Sequence, residues 1–265
     1  MRNLIRCITV ILLLSGAFSA KATHIVGGSL TYEHLGGAAY RVTLKLYRDC
    51  GTGNAQFPGS VNISVFENDG TAYSTINIPF PGEDTLDPFI DTCAFNPGVC
   101  VAQAIYTTVV NNLVPGNGGY HMIYQICCRN ASIVNVPVTP FVPGTGTTYY
   151  SYIPENFTWL TNSSPDWVNF PPVFICANQP LVFDHSATDA DGDSLAYNLY
   201  WPFEDDAFTF AANQPNFTNI TYNPGYSFTS PLEPSAPAQT MNIDPQTGIL
   251  TTTPPQVGQY VVGIV

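Results

Sequence analysis

The chain has few charged residues and almost no basic ones beyond its first 22 positions. Charged residues make up 10% of the 265 residues, and the formal net charge is −12 at pH 7. Only four basic residues follow position 22, whereas all 19 acidic residues do, which leaves a balance of −15. A strongly acidic surface repels phosphate backbones and anionic lipid headgroups. The composition therefore argues against nucleic acid and anionic membranes as partners.

The chain also lacks an apolar run long enough to cross a bilayer as a helix, which takes about 20 residues. Its most concentrated apolar stretch, residues 8–14, follows a basic start and precedes small residues that end at Ala22. This order is typical of a secretory signal peptide. We expect residues 1–22 to be removed, so that Thr23 starts a secreted or surface-exposed chain. We predict no membrane span in the mature chain.

Six cysteines follow the predicted signal peptide. An even number in an exported chain favours disulfides over a metal cluster. Cys93 and Cys100 close a short loop and are one candidate for a local pair. Cys127 and Cys128, if they lie on a strand, point to opposite faces and need different partners. The predicted disulfide cysteines are Cys50, Cys93, Cys100, Cys127, Cys128 and Cys176.

Short runs of alternating apolar and polar residues dominate the mature chain, and no stretch has the pattern of an amphipathic helix. In the clearest run, 40–47, every second residue is aliphatic. Gly36-Gly37 separates this run from an earlier one at 25–35 and predicts a hairpin turn. The pattern predicts an all-β protein of antiparallel sandwiches. Further predicted strands are 61–67, 102–110, 119–128, 181–184, 195–201, 241–243 and 259–265.

The composition changes at 161–172, where Asn, Ser and Pro interrupt the alternating pattern. Because proline does not fit a central strand, we predict a connection between domains there. We expect an N-terminal β-sandwich with disulfides at 23–170 and an immunoglobulin-like sandwich at 171–265. The alternating pattern continues to Val265. We therefore expect the second domain to be truncated and the chain to continue beyond this residue.

The sharpest local feature is a group of three aspartates at alternating positions around Gly192. Ca²⁺ takes about six to eight oxygen ligands, many of them carboxylates. The spacing is not that of an EF-hand, because Ser194 and Tyr200 stand where its glycine and glutamate belong. A calcium loop and a solvated turn between strands both stay open. The candidate calcium ligands are Asp189, Asp191 and Asp193.

A second acidic group lies at Glu204-Asp205-Asp206. We expect it to form an exposed loop, because runs of like charge are usually solvated. The alternative is that the chain returns past Asp191, so that this group completes the calcium site.

The chain has no recognisable catalytic motif, and we expect it not to be an enzyme. Ile25-Val26-Gly27-Gly28 resembles the activated end of trypsin-like proteases, but no Gly-Asp-Ser-Gly-Gly segment follows. These glycines are better explained as relief of crowding in a strand. The histidines lack the spacing of a zinc protease and are expected to be structural. They are His24, His34, His121 and His185.

Two tryptophans, Trp159 and Trp167, lie in a polar segment rich in Asn, Ser and Pro. Exposed rings there would stack on sugars, whereas packed rings would fill a core or a domain junction. Trp159 and Trp167 are therefore the candidate glycan contacts. The sequence leaves open whether the partner is a surface glycan or a protein.

Three further segments resemble parts of a known repeat. The run 186–197, Ser-Ala-Thr-Asp-Ala-Asp-Gly-Asp-Ser-Leu-Ala-Tyr, resembles the opening of the cadherin-like, dystroglycan-type immunoglobulin repeats of large bacterial surface proteins. Residues 241–254 and 258–262 resemble its closing strands. The stretch 202–239 is longer than the pattern. This resemblance implies a scaffold or binding module whose loops or junctions calcium would stiffen.

The N-terminal part resembles the leading segment of large exported proteins of gliding bacteria. The motifs are Thr23-His24-Ile25-Val26-Gly27-Gly28, Tyr47-Arg48-Asp49-Cys50 and Cys127-Cys128-Arg129-Asn130. The resemblance implies a gliding-motility-associated protein of the type IX secretion family. The same resemblance implies a long surface or secreted protein of repeated sandwiches, associated with the outer membrane, and we expect a non-catalytic structural or adhesive role.

Overall fold

A computed structural model describes most of the chain. In the described residues every regular element is a β-strand, and the predicted all-β class is confirmed. The same residues include no helix long and apolar enough to span a membrane. The described residues are 25–51, 56–86, 99–114, 118–127, 129–130, 132–137, 146–155, 162–169, 172, 174–205, 217–233 and 241–265.

In the described part of residues 25–153, eight strands form two antiparallel sheets, which we call the N-terminal unit. They are β1 Ile25–Gly36, β2 Ala39–Asp49, β3 Ser60–Glu67, β4 Ala72–Pro79, β5 Asp84–Leu86, β6 Val101–Val110, β7 Tyr120–Ile126 and β8 Thr147–Ile153. The first sheet has the order β1-β2-β6-β5, and the second has the order β4-β3-β7-β8. Strands β1 and β8 are thus edge strands of their sheets, and they contact each other.

Strand β2 shows how the alternating pattern produces these sheets. Val42, Leu44 and Leu46 are fully buried, whereas the residues between them are only half-buried. Because successive side chains point to opposite faces of a strand, one face of β2 is apolar. The turn before β2 contains Gly36 and Gly37, whose φ angles of 115° and 59° suit glycine. The hairpin predicted at these glycines is confirmed.

Both sheets of the N-terminal unit contribute side chains to one buried cluster. Leu44 and Tyr106 come from the first sheet, and Ile63 and Met122 come from the second. All four side chains are fully buried. Burying an aliphatic side chain of this size stabilises a fold by about 1.5 to 3 kcal/mol. The N-terminal unit therefore has a core of its own.

Gly28 on β1 allows a close approach that this core requires. A Cβ atom at this position would lie 2.5 Å from the carbonyl oxygen of Lys45 and 2.9 Å from ring atoms of Tyr149. No larger residue fits without a shift of the backbone. The expectation that a glycine here relieves crowding in a strand is confirmed.

A disulfide joins Cys50, just after β2, to Cys100, just before β6. The two Cα atoms are 5.0 Å apart, and the Cys50 N–H donates to the Cys100 carbonyl oxygen at 2.9 Å. The local pair of Cys93 with Cys100 is therefore wrong. Cys127 and Cys176 are also disulfide-bonded. Cys93 and Cys128 lie outside the described residues.

Seven shorter strands follow in the described part of residues 162–265, which we call the C-terminal unit. They are β9 Asp166–Trp167, β10 Leu181–Asp184, β11 Ala187–Thr188, β12 Leu199–Tyr200, β13 Met241–Ile243, β14 Ile249–Thr252 and β15 Gly263–Ile264. They form one sheet of the order β10-β14-β13 and two pairs, β11-β9 and β12-β15. A second buried cluster, which includes Tyr197, Met241 and Leu250, lies in this unit.

Residues 132–136, which follow β7 in the chain, pack on the C-terminal unit, and we call them the strap. Ile133 forms a parallel bridge with Gln259. The Asn135 side chain is fully buried and makes three hydrogen bonds. Its amide donates to the carbonyl oxygens of Pro231 and Val261 at 2.9 and 2.8 Å, and its oxygen accepts from the Val261 N–H at 2.9 Å. The strap thus satisfies backbone groups of the C-terminal unit from outside it.

Candidate functional site

The three predicted calcium ligands lie in the loop after β11, residues 189–193, which we call the aspartate loop. The Asp189 Oδ1 atom accepts hydrogen bonds from the backbone N–H groups of Asp191 and Asp193, at 2.9 and 3.1 Å. Gly192 has a φ angle of 84°, which suits glycine. The Asp189 carboxylate therefore holds its own turn together, as aspartate often does.

The other two carboxylates reach outside the aspartate loop. Asp191 Oδ2 accepts a hydrogen bond from the backbone N–H of Ser163. Asp193 Oδ2 accepts a longer one, of 3.4 Å, from the side-chain amide of Asn162. Asp191 and Asp193 thus form hydrogen bonds with residues 162–163, which lie in the interdomain connection predicted from the sequence.

The geometry of the aspartate loop does not bring its oxygens to one centre. Each of the three carboxylates accepts from a different N–H group. Among the residues that the structure describes, no group of three or more His, Cys, Asp or Glu side chains is arranged to hold a metal ion. A hard cation needs several oxygens directed at it. This arrangement fits the turn interpretation, and the calcium site stays a prediction.

Residues 162–164, which the aspartate loop contacts, pair with the edge strand β1. The Tyr32 N–H donates to the Ser164 Oγ at 2.8 Å, and the Ser164 N–H donates to the Tyr32 carbonyl oxygen at 2.8 Å. The His34 N–H donates to the Ser163 Oγ at 3.1 Å. Backbone groups at the free edge of a sheet otherwise attract other chains. The segment therefore covers part of this edge.

Tyr32 connects the same segment to the second sheet. Its hydroxyl donates to the carbonyl oxygen of Tyr152 at 3.0 Å and contacts the Asn162 side-chain oxygen. Burial raises the pKa of Tyr32, and the nearby Tyr40 and Asp191 raise it further. Tyr32 therefore stays neutral and acts as a hydrogen-bond donor. A salt bridge of 2.6 Å between Lys45 and Asp166 adds a contact with β2.

The edge strand β8 is covered by a different part of the C-terminal unit. The Thr148 N–H donates to the Phe203 carbonyl oxygen at 3.4 Å, and the Thr148 hydroxyl donates to the Glu204 carbonyl oxygen. Arg129 also donates to the Phe203 carbonyl oxygen, at 3.0 Å. Residues 203–204 therefore cover the start of β8, as residues 162–164 cover part of β1.

Asp205 does not lie in an exposed loop, and the expectation for this acidic group is wrong at this residue. Asp205 is buried, and its Oδ1 accepts from the Gly146 N–H at 2.7 Å. A Cβ at Gly146 would lie 2.1 Å from this carboxylate. Glu204 is half-buried and accepts from the Thr221 N–H at 3.3 Å. Asp206 lies outside the described residues.

Of the two candidate glycan contacts, the structure describes Trp167. Trp159 lies outside the described residues. Trp167 is half-buried, and its ring stacks on His185 with centroids 4.2 Å apart and planes 15° apart. Trp167 also packs against the second buried cluster. One face of its indole is therefore occupied within the protein.

The three described histidines make structural contacts. The His34 Nε2 lies 2.9 Å from the Gly37 carbonyl oxygen. The His121 Nδ1 lies 2.8 Å from the Tyr150 hydroxyl, and burial lowers the His121 pKa. His185 is buried with its Nδ1 unbonded, and burial lowers its pKa as well. His24 lies outside the described residues.

The groups that hold the two units together were not identified from the sequence. Ser163 and Ser164 stood within a stretch predicted as a connection, and Asn135 was not singled out. All three residues lie close to a proline, which is typical of a loop. Their role becomes visible only from the residues that they bond in the folded chain.

Comparison with known proteins gives no match for this chain. No protein-family model, no curated protein and no solved structure matches it. Functional inference therefore rests on the chain's own residues.

Proposed function

We propose that the chain is a non-catalytic, exported surface protein with a structural or adhesive role. In this proposal the two units are consecutive β-sandwich domains, and the second is cadherin-like. The observation that carries the proposal is the junction between them, in which the C-terminal unit covers part of β1 and the start of β8. In an adhesive chain, neighbouring domains need to keep a fixed relative orientation when mechanical force acts on the chain.

Three separate contacts support a stiff junction. The first joins residues 162–164 to β1, and the second joins residues 203–204 to β8. The third is the strap. Domains within one chain usually move relative to each other unless their interface is large. Three separate attachment sites oppose such movement.

Export is supported by the disulfide and by the sequence of the first 22 residues. The structure contains a Cys50–Cys100 disulfide. Disulfides persist in oxidising compartments and are rare in the cytosol. The resemblance to exported proteins of gliding bacteria adds the proposal that the type IX secretion system delivers the chain to the outer membrane. The predicted signal peptide agrees with the first step of such a route.

The proposal is tested in cells that produce the full chain with residues 1–22. We expect an antibody against the mature chain to label intact cells or to detect the protein in the medium. Beads coated with the purified chain should adhere to producing cells, whereas beads coated with the reduced and alkylated chain should not. Retention in the cytoplasm, or release of sugars from polysaccharides by the chain, contradicts the proposal.

Calcium binding belongs to this proposal as a separate prediction. If Ca²⁺ binds the aspartate loop, it raises the free energy of unfolding by about 2.7 kcal/mol at a hundredfold excess over its dissociation constant. The Asp191→Ala variant should lose this gain. Asp69→Ala is a matched control, because Asp69 also accepts a backbone hydrogen bond in an exposed turn, from Thr71 at 2.8 Å.

Thermal unfolding with Ca²⁺ and with chelator gives the comparison. A gain that is present in the wild type and in Asp69→Ala but absent in Asp191→Ala supports the calcium loop. Equal unfolding midpoints with and without Ca²⁺ in the wild type leave the aspartate loop as a hydrogen-bonded turn.

A further inference from the structure

An exposed pair of aromatic rings lies beyond strand β12. Trp201 and Phe228 have ring centroids 4.1 Å apart and planes 35° apart. Trp201 keeps 38% of its surface exposed, and the neighbouring Tyr200 keeps 47%. Phe228 is half-buried and supports the indole. This pair differs from Trp167, whose ring stacks on a buried histidine.

One ring of a second aromatic pair, that of Tyr226, belongs to the same turn as Phe228. The ring centroids of Tyr226 and Tyr260 are 6.3 Å apart. Tyr226 and Phe228 stand on either side of Ser227. The Gln256 amide donates to the Tyr226 hydroxyl at 3.1 Å. We call Trp201, Tyr226, Phe228 and Tyr260 the aromatic platform.

The turn that carries Tyr226 and Phe228 is held by its own hydrogen bonds. The Tyr226 N–H donates to the Asn223 carbonyl oxygen at 3.0 Å. Ser227 and Ser230 exchange backbone hydrogen bonds of 3.3 and 3.1 Å. The strap residue Asn135 holds the carbonyl oxygen of Pro231. A turn fixed in this way loses little entropy when a ligand binds.

Two of the segments around the aromatic platform carry almost no charge. Residues 217–233 include one charged residue, Glu233, and residues 245–265 include none, although the chain as a whole has a net charge of −12. Of the acidic group that follows Trp201, Glu204 accepts a hydrogen bond from the Thr221 N–H, and Asp205 is buried and accepts one from the Gly146 N–H. The polar groups of these segments are amides and hydroxyls. A ligand that matches this surface is uncharged, with an apolar face for the rings and hydroxyls for the polar groups.

We propose that the aromatic platform binds an uncharged glycan, with Trp201 as the main stacking residue. An uncharged pyranose has the required chemistry, because its C–H face packs on an aromatic ring while its hydroxyls exchange hydrogen bonds. The proposal rests on the proposed function, since it names the partner class of an adhesive chain. It moves the glycan contact away from the half-buried Trp167 to Trp201, which keeps 38% of its surface exposed.

Affinity electrophoresis of the full mature chain tests this proposal. The gels contain dextran, mannan, xylan or galactan as uncharged probes, and alginate as an anionic one. We expect at least one uncharged probe to retard the wild type, and Trp201→Ala to bind it about tenfold more weakly. Phe80→Ala is the matched control, because Phe80 is 39% exposed and also contacts other rings, in the N-terminal unit.

The outcomes separate the platform from the wider function. Retardation that Trp201→Ala loses and Phe80→Ala keeps, with unchanged unfolding midpoints, supports the proposal. Retardation by alginate alone, by none of the probes, or equally in wild type and Trp201→Ala overturns it. If the coated beads still adhere to cells in that case, the adhesive function stands and its partner is not an uncharged glycan on the aromatic platform. If the beads fail while the gels show binding, the adhesive function falls and the glycan site stands.

Discussion

The two units reach the same all-β class by different means. Seven of the eight strands of the N-terminal unit have 7 to 12 residues, whereas the strands of the C-terminal unit have two to four. The N-terminal unit has many fully buried side chains, whereas the most buried apolar residue of the second cluster, Leu232, keeps 3% exposure. Short strands contribute few ladder hydrogen bonds. We infer that the C-terminal unit depends on contacts that the N-terminal unit provides.

The largest effect is expected in the core of the N-terminal unit. Leu44→Ala removes a fully buried side chain and leaves a cavity, which costs about 2 to 5 kcal/mol of unfolding free energy. Ile105→Ala on the adjacent strand β6 is the control, because Ile105 is 38% exposed. We expect it to change the stability by less than about 0.5 kcal/mol. Equilibrium denaturation measures both.

If the C-terminal unit depends on the N-terminal unit, Leu44→Ala should lower the unfolding midpoint of both units. When the N-terminal unit unfolds, the C-terminal unit loses its contacts with the strap, β1 and β8. A C-terminal unit that stays folded while the N-terminal unit melts, seen as two separate transitions, contradicts this dependence.

A smaller and more local effect is expected from the strap. Asn135→Ala leaves the Val261 N–H and two carbonyl oxygens without their partner, at a cost of about 1 to 3 kcal/mol. Asn62→Ala is a matched control, because Asn62 is exposed and its side chain bonds the Asn77 side chain. Hydrogen exchange should become faster at Val261 in the first variant. Equal exchange rates at Val261 in both variants would mean that the strap does not stabilise this part of the C-terminal unit.

The difference between the units also explains what the sequence could predict. The alternation at 40–47 identified β2 because one face of that strand is buried. Residues 181–184 and 241–243 were predicted with their observed bounds. Strand β8, Thr147–Ile153, was missed, because its run of Thr and Tyr shows no apolar–polar alternation.

Two predicted strands of the C-terminal unit are much shorter than expected. The prediction at 195–201 is reduced to Leu199–Tyr200, and the one at 259–265 is reduced to Gly263–Ile264. Gln259 and Val261 bond the strap instead of a strand of their own unit. Local periodicity cannot report such a partner, because it lies more than a hundred residues away in the chain.

The same limit applies to the junction. The stretch 161–172 was predicted as a connection, but Ser163 and Ser164 pair with β1 through both side chain and backbone. The three aspartates were identified from the sequence as candidate calcium ligands, which stays a prediction. Their contact with Asn162 and Ser163 depends on tertiary structure and is not visible in the spacing.

The smallest effect is expected from pH, and it should also distinguish the units. Burial lowers the pKa of His185 below the ordinary value, and Asp184 opposes this shift. The folded protein therefore holds His185 neutral where the unfolded chain already binds a proton, below about pH 6.5. Its contribution to stability is complete above that pH and is lost as the pH falls towards the lowered pKa.

The test compares the wild type with His185→Phe, which keeps a flat ring against Trp167 but cannot take a proton. Between pH 7.5 and pH 5, the unfolding free energy of the wild type should fall more steeply than that of the variant. Burial also lowers the pKa of His121, but both ring nitrogens of His121 have a polar neighbour, Tyr150 or Asn68. Protonation should cost most at His185, because its Nδ1 is buried without a hydrogen-bond partner. The slope of unfolding free energy against pH should therefore change less in His121→Phe than in His185→Phe. A larger change of slope in His121→Phe would place the acid-sensitive contact in the N-terminal unit and reverse this order.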